Sequence, residues 1–460
     1  MSSKKSNMRK ETGITLIALI ITIIILVILA AVSIRAVTNM GIVGHAINGT
    51  QDYARASKQE NKTLGDASNY IDNALAKLDK IQEGEKKEPT GKPLVNKETV
   101  ASIVTGTNLE GEDEFGNPIT IPVGFKVAAD SGNNVTEGIV IEDDDTANGT
   151  IRGNQYVWIP TGTIYTNEAR TTSVTITPGR YEFADGTATY KDSNNNTLAK
   201  GTPILKQSLA NHETQPTNIT YHSTTSYPNH GITSATNGEI VIKDYYYELS
   251  TYRSGRDNSG TITTNRTATN LEDFANSVET NHGYYIARYE ASWGTGNKVK
   301  SRVSVGDVPN SAPSSRTNGQ LWNFVKQVEA AEACQGLYEG KINSDLMNSY
   351  AWDTAIVFLQ TFDDREDKTL PYSYQTRMKS GTNPYNTGES GDEICKINDM
   401  ASNDYEWTTE YSTQQSRYNA NPCIYRGGQC NYTYSCTASR IYNNETISYK
   451  DVTFRPTLYL

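Results

Sequence analysis

NDMASNDYEWTTEYS, residues 398–412, sets a large aromatic, Trp407, directly after a carboxylate, Glu406. A tryptophan of that size is a natural core anchor, and a carboxylate beside it needs a partner if it is buried. Downstream come CIYRGGQ (423–429), SCTASR (435–440) and the terminal FRPTLYL (454–460). In these, Phe454 is a second anchor, Arg455, like Glu406, can satisfy a buried partner, Arg426 and Arg440 read as scaffold, and Gly427-Gly428 permits a tight turn or close packing. Upstream, GYYIARYEAS (283–292) alternates as a strand that runs to Glu290. NGQLWNFVKQVEAAEACQG (318–336) places Leu321, Phe324, Val325, Val328 and Ala331 on one helical face. SDLMNSYAWDTAIVFLQTF (344–362) reads as a second helix, with Trp352 and Asp353 inside it.

Further upstream the texture is short β-like segments broken by turns, at 119–129, 135–142 and 155–164. From 166 to 281 the chain is rich in Thr, Ser, Asn and Gly. It reads as a loop-rich β insertion with one strand at YYYE (245–248) and a helix at 270–279. The acidic run Asp143-Asp144-Asp145 offers oxygen ligands for calcium, against the alternative of a solvated hairpin tip.

The opening of the chain has a different character. Residues 4–10 carry Lys4, Lys5, Arg9 and Lys10, Gly13 follows, and 14–34 is an uncharged apolar run. At about 1.5 Å per helical residue, that run reaches across the roughly 30 Å of a bilayer's hydrocarbon core. Basic residues ahead of it keep the N-terminus inside and put the remainder outside. Residues 35–82 read as a weakly amphipathic helical stalk and 83–111 as a linker.

Together these elements give an expected α+β fold: leader 1–13, transmembrane helix 14–34, stalk, linker, and a mixed domain over 112–460. The chain has 460 residues with a formal net charge of -10, 36% hydrophobic residues, 29 Tyr and 8 Phe. That acidic balance, with no cationic stripe beyond the leader, argues against nucleic acid as the partner. Five histidines are scattered without metal-ligand spacing, and no nucleophile-elbow or phosphate-loop motif occurs. No catalytic residue and no metal ligand is assigned.

Gly13 followed by Ile14-Thr15-Leu16-Ile17 resembles the leader of type IV prepilins and pseudopilins. That resemblance implies cleavage after Gly13 by a prepilin peptidase, a methylated Ile14, and association with other pilin subunits. The family's Glu at the fifth mature position is Ala18 here, which points away from a bulk fibre subunit. A plain uncleaved anchor is the alternative.

The C-terminal motifs, in order, resemble the formylglycine-generating-enzyme and sulfatase-modifying-factor family, a variant of the C-type lectin fold. Trp158-Ile159-Pro160-Thr161-Gly162, Ala287-Arg288-Tyr289-Glu290-Ala291-Ser292, Asn403-Asp404-Tyr405-Glu406-Trp407-Thr408, Arg426-Gly427-Gly428 and Thr453-Phe454-Arg455 carry the likeness over roughly 112–460. The enzymes of that family oxidise through two copper-binding cysteines five positions apart. Here Cys436 precedes Thr437-Ala438-Ser439-Arg440, but Cys430 lies six positions before it. A disulfide or free thiols are the other readings of this pair, and no pairing of the five cysteines follows from their spacing.

Residues 407–454 are crowded with Tyr, Asn and Ser, the side chains that give rigid contact area and adaptable hydrogen bonds in a binding surface. The expected ligand contacts are Tyr418, Asn419, Asn421, Tyr425, Gln429, Cys430, Asn431, Tyr432, Tyr434, Ser435, Cys436, Tyr442, Asn443 and Asn444. This arrangement is also similar to the variable proteins of diversity-generating retroelements. There, adenine-directed mutagenesis turns Asn codons into Tyr, Ser, Cys and Thr codons, although Gln429 and Lys450 are not products of that change. The expectation is a surface- or pilus-displayed adhesin binding an extracellular protein or glycan. An exported copper-dependent oxidase and a structural minor pilin are the alternatives.

Overall fold

Short runs of Tyr, Val, Ile and Thr, punctuated by Asn, Asp and Gly, favour strands and tight turns over long helices. The computed structural model describes residues 107–143, 153–212, 242, 246–248, 251–256, 262–267, 271–335, 337–338, 342–376, 378–412, 423–433, 435–443 and 447–460. All belong to the unit Pro89–Leu460.

The expected α+β class is corrected. The described residues are mostly β, with twenty-three strands and three α-helices. Those helices have 11, 9 and 13 residues, and none is long and apolar enough to cross a membrane. The longest would span about 20 Å, against the roughly 30 Å a bilayer requires. The long N-terminal transmembrane helix is therefore not part of the described fold. Residues 14–34, the stalk, and the processing pair Gly13 and Ile14 lie outside the described residues.

Two larger sheets, of six and five strands, organise the described residues. The strands that build them, and the helices between, are β1 (Phe125–Val127), β2 (Val140–Asp143), β3 (Gln155–Pro160), β4 (Gly179–Phe183), β5 (Tyr246–Glu248), α1 (Leu271–Asn281), β6 (Gly283–Ala287), α2 (Gln327–Gln335), β7 (Asn343–Leu346), α3 (Ser349–Thr361), β8 (Tyr405–Ser412), β9 (Cys423–Arg426), β10 (Arg440–Asn443), β11 (Val452–Phe454) and β12 (Pro456–Tyr459). The first sheet is antiparallel in the order β7-β12-β6-β3-β2-β1. Its central strand β6 is buried at every residue, and α1 packs on it through Phe274 against Tyr284. The second sheet runs β5-β8-β9-β10, with β11 parallel to β8 through Tyr405↔Val452 and Trp407↔Phe454. Arg455 stands where the chain leaves β11 for β12, so it lies at the junction of the two sheets.

Local readings shift where tertiary pairing competes with periodicity. The helix expected over 318–336 forms only at Gln327–Gln335. Before it, the Trp322 amide donates to Ala291 O (2.9 Å) and the Trp293 amide to Gln320 O (2.7 Å), while Phe324 takes a positive φ of 51°. Those bonds hold 320–322 extended, so its apolar residues serve as a strand would. The start of the second expected helix becomes edge strand β7, and α3 begins after Asn348, whose side chain accepts from the Ala351 amide (2.8 Å). Where it is described, the expected loop-rich insertion is also more tightly held than its composition implies. All five residues of β4 are buried, and the Tyr181 amide donates to Asp353 on α3 at 2.9 Å.

Candidate functional site

The motif residues converge on the sheet junction. The Arg455 guanidinium forks onto Glu406 through Nε (3.0 Å) and Nη2 (2.7 Å), and it also donates to the carbonyls of Ala287 (2.7 Å) and Asn398 (2.8 Å). One side chain thus ties β6, β8 and the loop before β8, in the bidentate geometry that suits Arg to carboxylates. Glu290 accepts from the Asp404 amide (3.0 Å) and from the Asn403 side chain. Asn403, at φ 71°, also accepts from the Tyr385 amide through Oδ1 (2.7 Å) and from the Cys430 amide through its carbonyl (2.9 Å). It therefore pegs two loops to the core. Trp407 donates to Val325 O (2.8 Å) and meets the Tyr425 ring edge-on at 5.2 Å, while Phe454 packs on Trp322. Gly427 and Gly428 allow the backbone to pass close to its neighbours: a Cβ would stand 2.8 Å from Met400 O at the first and 2.2 Å from Ala401 O at the second.

Beneath β9 and β10 lies a fully buried charge lattice. Asp353 on α3 accepts from Arg426 (2.5 Å) and Arg440, and Glu410 on β8 accepts from Arg440 (3.0 Å), Arg426 (3.3 Å) and Arg180. Arg180 comes from β4 and also donates to Tyr246 O (2.9 Å), so the lattice joins β4, β5, α3, β8, β9 and β10. Burial pushes the Glu410 carboxyl up, but the guanidinium groups of Arg440, Arg180 and Arg426 outweigh it and hold the group at about 2. Sequence reasoning placed Arg426 and Arg440 in the scaffold but did not foresee this lattice, nor the parts of Arg180, Asp353 and Glu410 in it. The available signal was an excess of charged residues inside strand- and helix-like apolar runs.

Asp404 is different. Both of its carboxylate oxygens are buried without a hydrogen-bond partner. Burial, with Asp451, Asp399 and Glu406 nearby, pushes its carboxyl well above the usual range, and Asp399 is raised to about 7 by burial above all.

The residues expected to contact ligand divide into three groups. Tyr418, Asn419, Asn421, Tyr434 and Asn444 lie outside the described residues. Tyr425, Gln429, Cys430, Ser435 and Cys436 are buried. They form an inner layer: the Tyr405 and Tyr425 rings stack at 4.7 Å, the Gln429 side chain donates to the Tyr405 hydroxyl (3.2 Å), and Ser435 shares a hydrogen with that hydroxyl at 2.7 Å. Asn443 reaches the Tyr425 hydroxyl. Asn431 is exposed and Tyr432 is part-exposed on the loop above; Tyr442 and Asn443 are part-exposed on β10, where Tyr442 faces Tyr246 instead.

Two further loops join the exposed group. Gly381 donates to Cys430 O (3.0 Å), and Lys450 Nζ donates to Thr382 O (2.8 Å) and Asn383 Oδ1 (2.9 Å), so segments 378–386, 429–433 and 447–451 meet. Met378 (38% exposed), Tyr449 (45% exposed), Thr433 and the Lys379–Tyr385 cation–π pair (4.1 Å) lie on these same segments. Tyr385, Tyr449, Met378 and Lys379 were not assigned from sequence, because Tyr occurs along the whole chain and nothing local marks these ones.

All five cysteines are buried. Burial pushes Cys430 up to about 12, with Asp404 and Asp451 adding to it, and burial raises Cys436 too. Neither is in the low-pKa setting that makes a reactive thiolate. Asp143 of the expected calcium run is buried and bonded to Asn154 and Tyr338; Asp144 and Asp145 lie outside the described residues. Among the described residues, no group of three or more His, Cys, Asp or Glu side chains is arranged to hold a metal ion.

The mostly β unit, with short helices packed on an antiparallel sheet, is compatible with the lectin-like architecture that the motifs imply. No protein-family model matches the chain, and no curated protein does. Among solved structures, Treponema denticola variable protein 1 is similar over 47% of this chain and 94% of that one, at 13% identity and a TM-score of 0.28. PvdO from Pseudomonas aeruginosa is similar over 47% and 93%, at 12% identity and a TM-score of 0.27. The Major Tropism Determinant U1 variant is similar over 80% and 97%, at 12% identity and a TM-score of 0.25. Likenesses at these scores assign no function.

Proposed function

We propose that this chain is a displayed ligand-binding protein, an adhesin and not an enzyme, whose contact face is formed by the loops 378–386, 429–433 and 447–451. The observation that carries this reading is the alternation within one loop. Asn431, Tyr432 and Thr433 stand outward between the buried pairs Gln429-Cys430 and Ser435-Cys436. Tyr and Asn on a rigid base lose little conformational freedom on binding, which favours affinity from a small area. The ligand class is an extracellular protein or glycan.

The same loop supports diversification as a second layer of the proposal. Gln429 and Lys450, which adenine-directed change of Asn codons does not produce, are bonded to neighbouring loops and rings. Asn431, Tyr432 and Thr433 fit that change and are solvent-facing. A reverse transcriptase and an imperfect repeat of the gene's 3′ end nearby would support it; neither being present would sink it. Export through the pilin route, with cleavage at Gly13, predicts a methylated Ile14 at the native N-terminus, and an intact Met1 would overturn that part.

The binding reading is tested with the full-length chain on arrays of sialylated, fucosylated and mannosylated glycans and on immobilised collagen and fibronectin. We expect saturable binding to at least one surface, weakened about 10-fold or more by joint Tyr432→Ala and Tyr449→Ala. Binding that survives this double change, or none on any surface, would count against this face.

A further inference from the structure

We propose that a cleft beside the Ser292–Gly294 and Lys298–Lys300 hairpin binds a small organic anion. Lys300 and Arg302 would hold its acidic group, and Val303, Val305 and Tyr289 would cover its apolar body.

The cleft encloses about 470 Å³, and these five residues are among its lining. That volume falls within the roughly 300–1,000 Å³ typical of small-molecule sites. Its walls are held in place by bonds of the backbone and of the Thr387 and Ser301 hydroxyls. The Ser304 amide donates to Thr387 Oγ1 (2.9 Å), Thr387 Oγ1 donates to Arg302 O (3.0 Å), and the Val305 amide donates to Gly319 O (2.8 Å). Ser301 turns inward and donates to Gln155 O (2.5 Å). Val303 and Val305 are left 48% and 56% exposed on a pinned backbone, which is an apolar surface without cover.

Lys300 ends the Lys298–Lys300 strand, Arg302 lies at the bend that follows, and both line the cleft. Neither side chain has a carboxylate partner among the described residues. The Arg302 guanidinium lies over Gly153, where a Cβ would come within 2.8 Å of Nη2, so the bare glycine makes room for it. The carboxylate in the lining, Glu142, is already engaged by Lys126 (3.7 Å) and the Gln155 side-chain Nε2 (3.2 Å). With no carboxylate partner the two cations repel one another, and an anion between them relieves that repulsion. Burial and Arg302 both lower the Lys300 pKa, the direction expected where a negative partner is wanted.

The inference does not depend on the Tyr/Asn loop face. Sodium benzoate titrated into the full-length chain by calorimetry tests it, with benzyl alcohol as the neutral probe and sodium sulfate as the charge-only probe. Saturable benzoate binding on the order of 1 mM or tighter is expected, with benzyl alcohol and sulfate each at least about 10-fold weaker. Joint Lys300→Gln and Arg302→Gln should weaken benzoate about 10-fold or more. Val305→Asp should do so with both cations intact, and neither variant should shift thermal unfolding. Failure of benzoate to saturate, binding unchanged in both variants, or sulfate binding as tightly as benzoate would each overturn the proposal.

Discussion

The charge lattice under β9 and β10 and the loop face above it are drawn from neighbouring stretches of one segment, yet they are opposite kinds of surface. In the lattice, Arg426 and Arg440 are wholly enclosed and matched by Asp353 and Glu410. On the face, Asn431 and Tyr449 lie open to solvent. The lattice spends its charges holding six elements together, so the loops can vary in side chain without loss of the fold. Removing a lattice partner should therefore cost stability, and removing a face residue should cost only recognition.

The largest effect expected is on the lattice. Asp353→Ala leaves Arg426 and Arg440 short of a buried counter-charge and should destabilise the protein by about 3–5 kcal/mol in denaturant unfolding. Replacement of the whole lattice by apolar residues of similar volume should cost far less. A small loss from Asp353→Ala alone would show that the lattice does not hold the fold.

Next comes Asp404. A carboxyl whose folded pKa is raised stabilises the fold below its ordinary pKa, and that contribution is lost as pH rises through the raised value. For Asp399 this loss runs from about pH 4 to about 7. Asp404, raised by burial and three acidic neighbours, works in the same direction. Asp404→Asn should therefore gain about 1–3 kcal/mol at pH 8 and much less at pH 5. Equal effects at the two pH values would contradict the assignment.

On the face, Tyr432→Ala with Tyr449→Ala should change unfolding stability by less than about 0.5 kcal/mol while binding falls. The smallest effect is expected for Cys430→Ser with Cys436→Ser. Both thiols are covered, so ligand binding should be retained, as measured on the surface that the wild-type protein recognises. Loss of a copper-dependent turnover on this change would instead favour the oxidase alternative.

How much of this was legible in the sequence differs by residue. Trp407 and Phe454 are large enough that their need for cover can be read from composition alone, and both are fully buried. The alternation of GYYIA is local, and it forms β6. The run 318–336 was misread because one apolar stripe fits a helix face and an extended segment paired to 291–293 almost equally well. Choosing between them requires the partner strand. The burial of Gln429, Ser435 and Cys436 was illegible for a related reason: polar and small side chains accept either environment, and only a bonded neighbour such as the Tyr405 hydroxyl draws them in.

By itself the sequence determined the order of motifs, the acidic balance, the wealth of Tyr and Asn near the C-terminus and the basic, apolar opening. Each is a property of residues taken singly or in short windows. Tertiary structure decided that the described fold is mostly β, that Arg180 meets Glu410 across 230 positions, and which few of many Tyr and Asn side chains face solvent. Burial and charge pairing belong to contacts between distant segments, and no local pattern encodes which segments will meet.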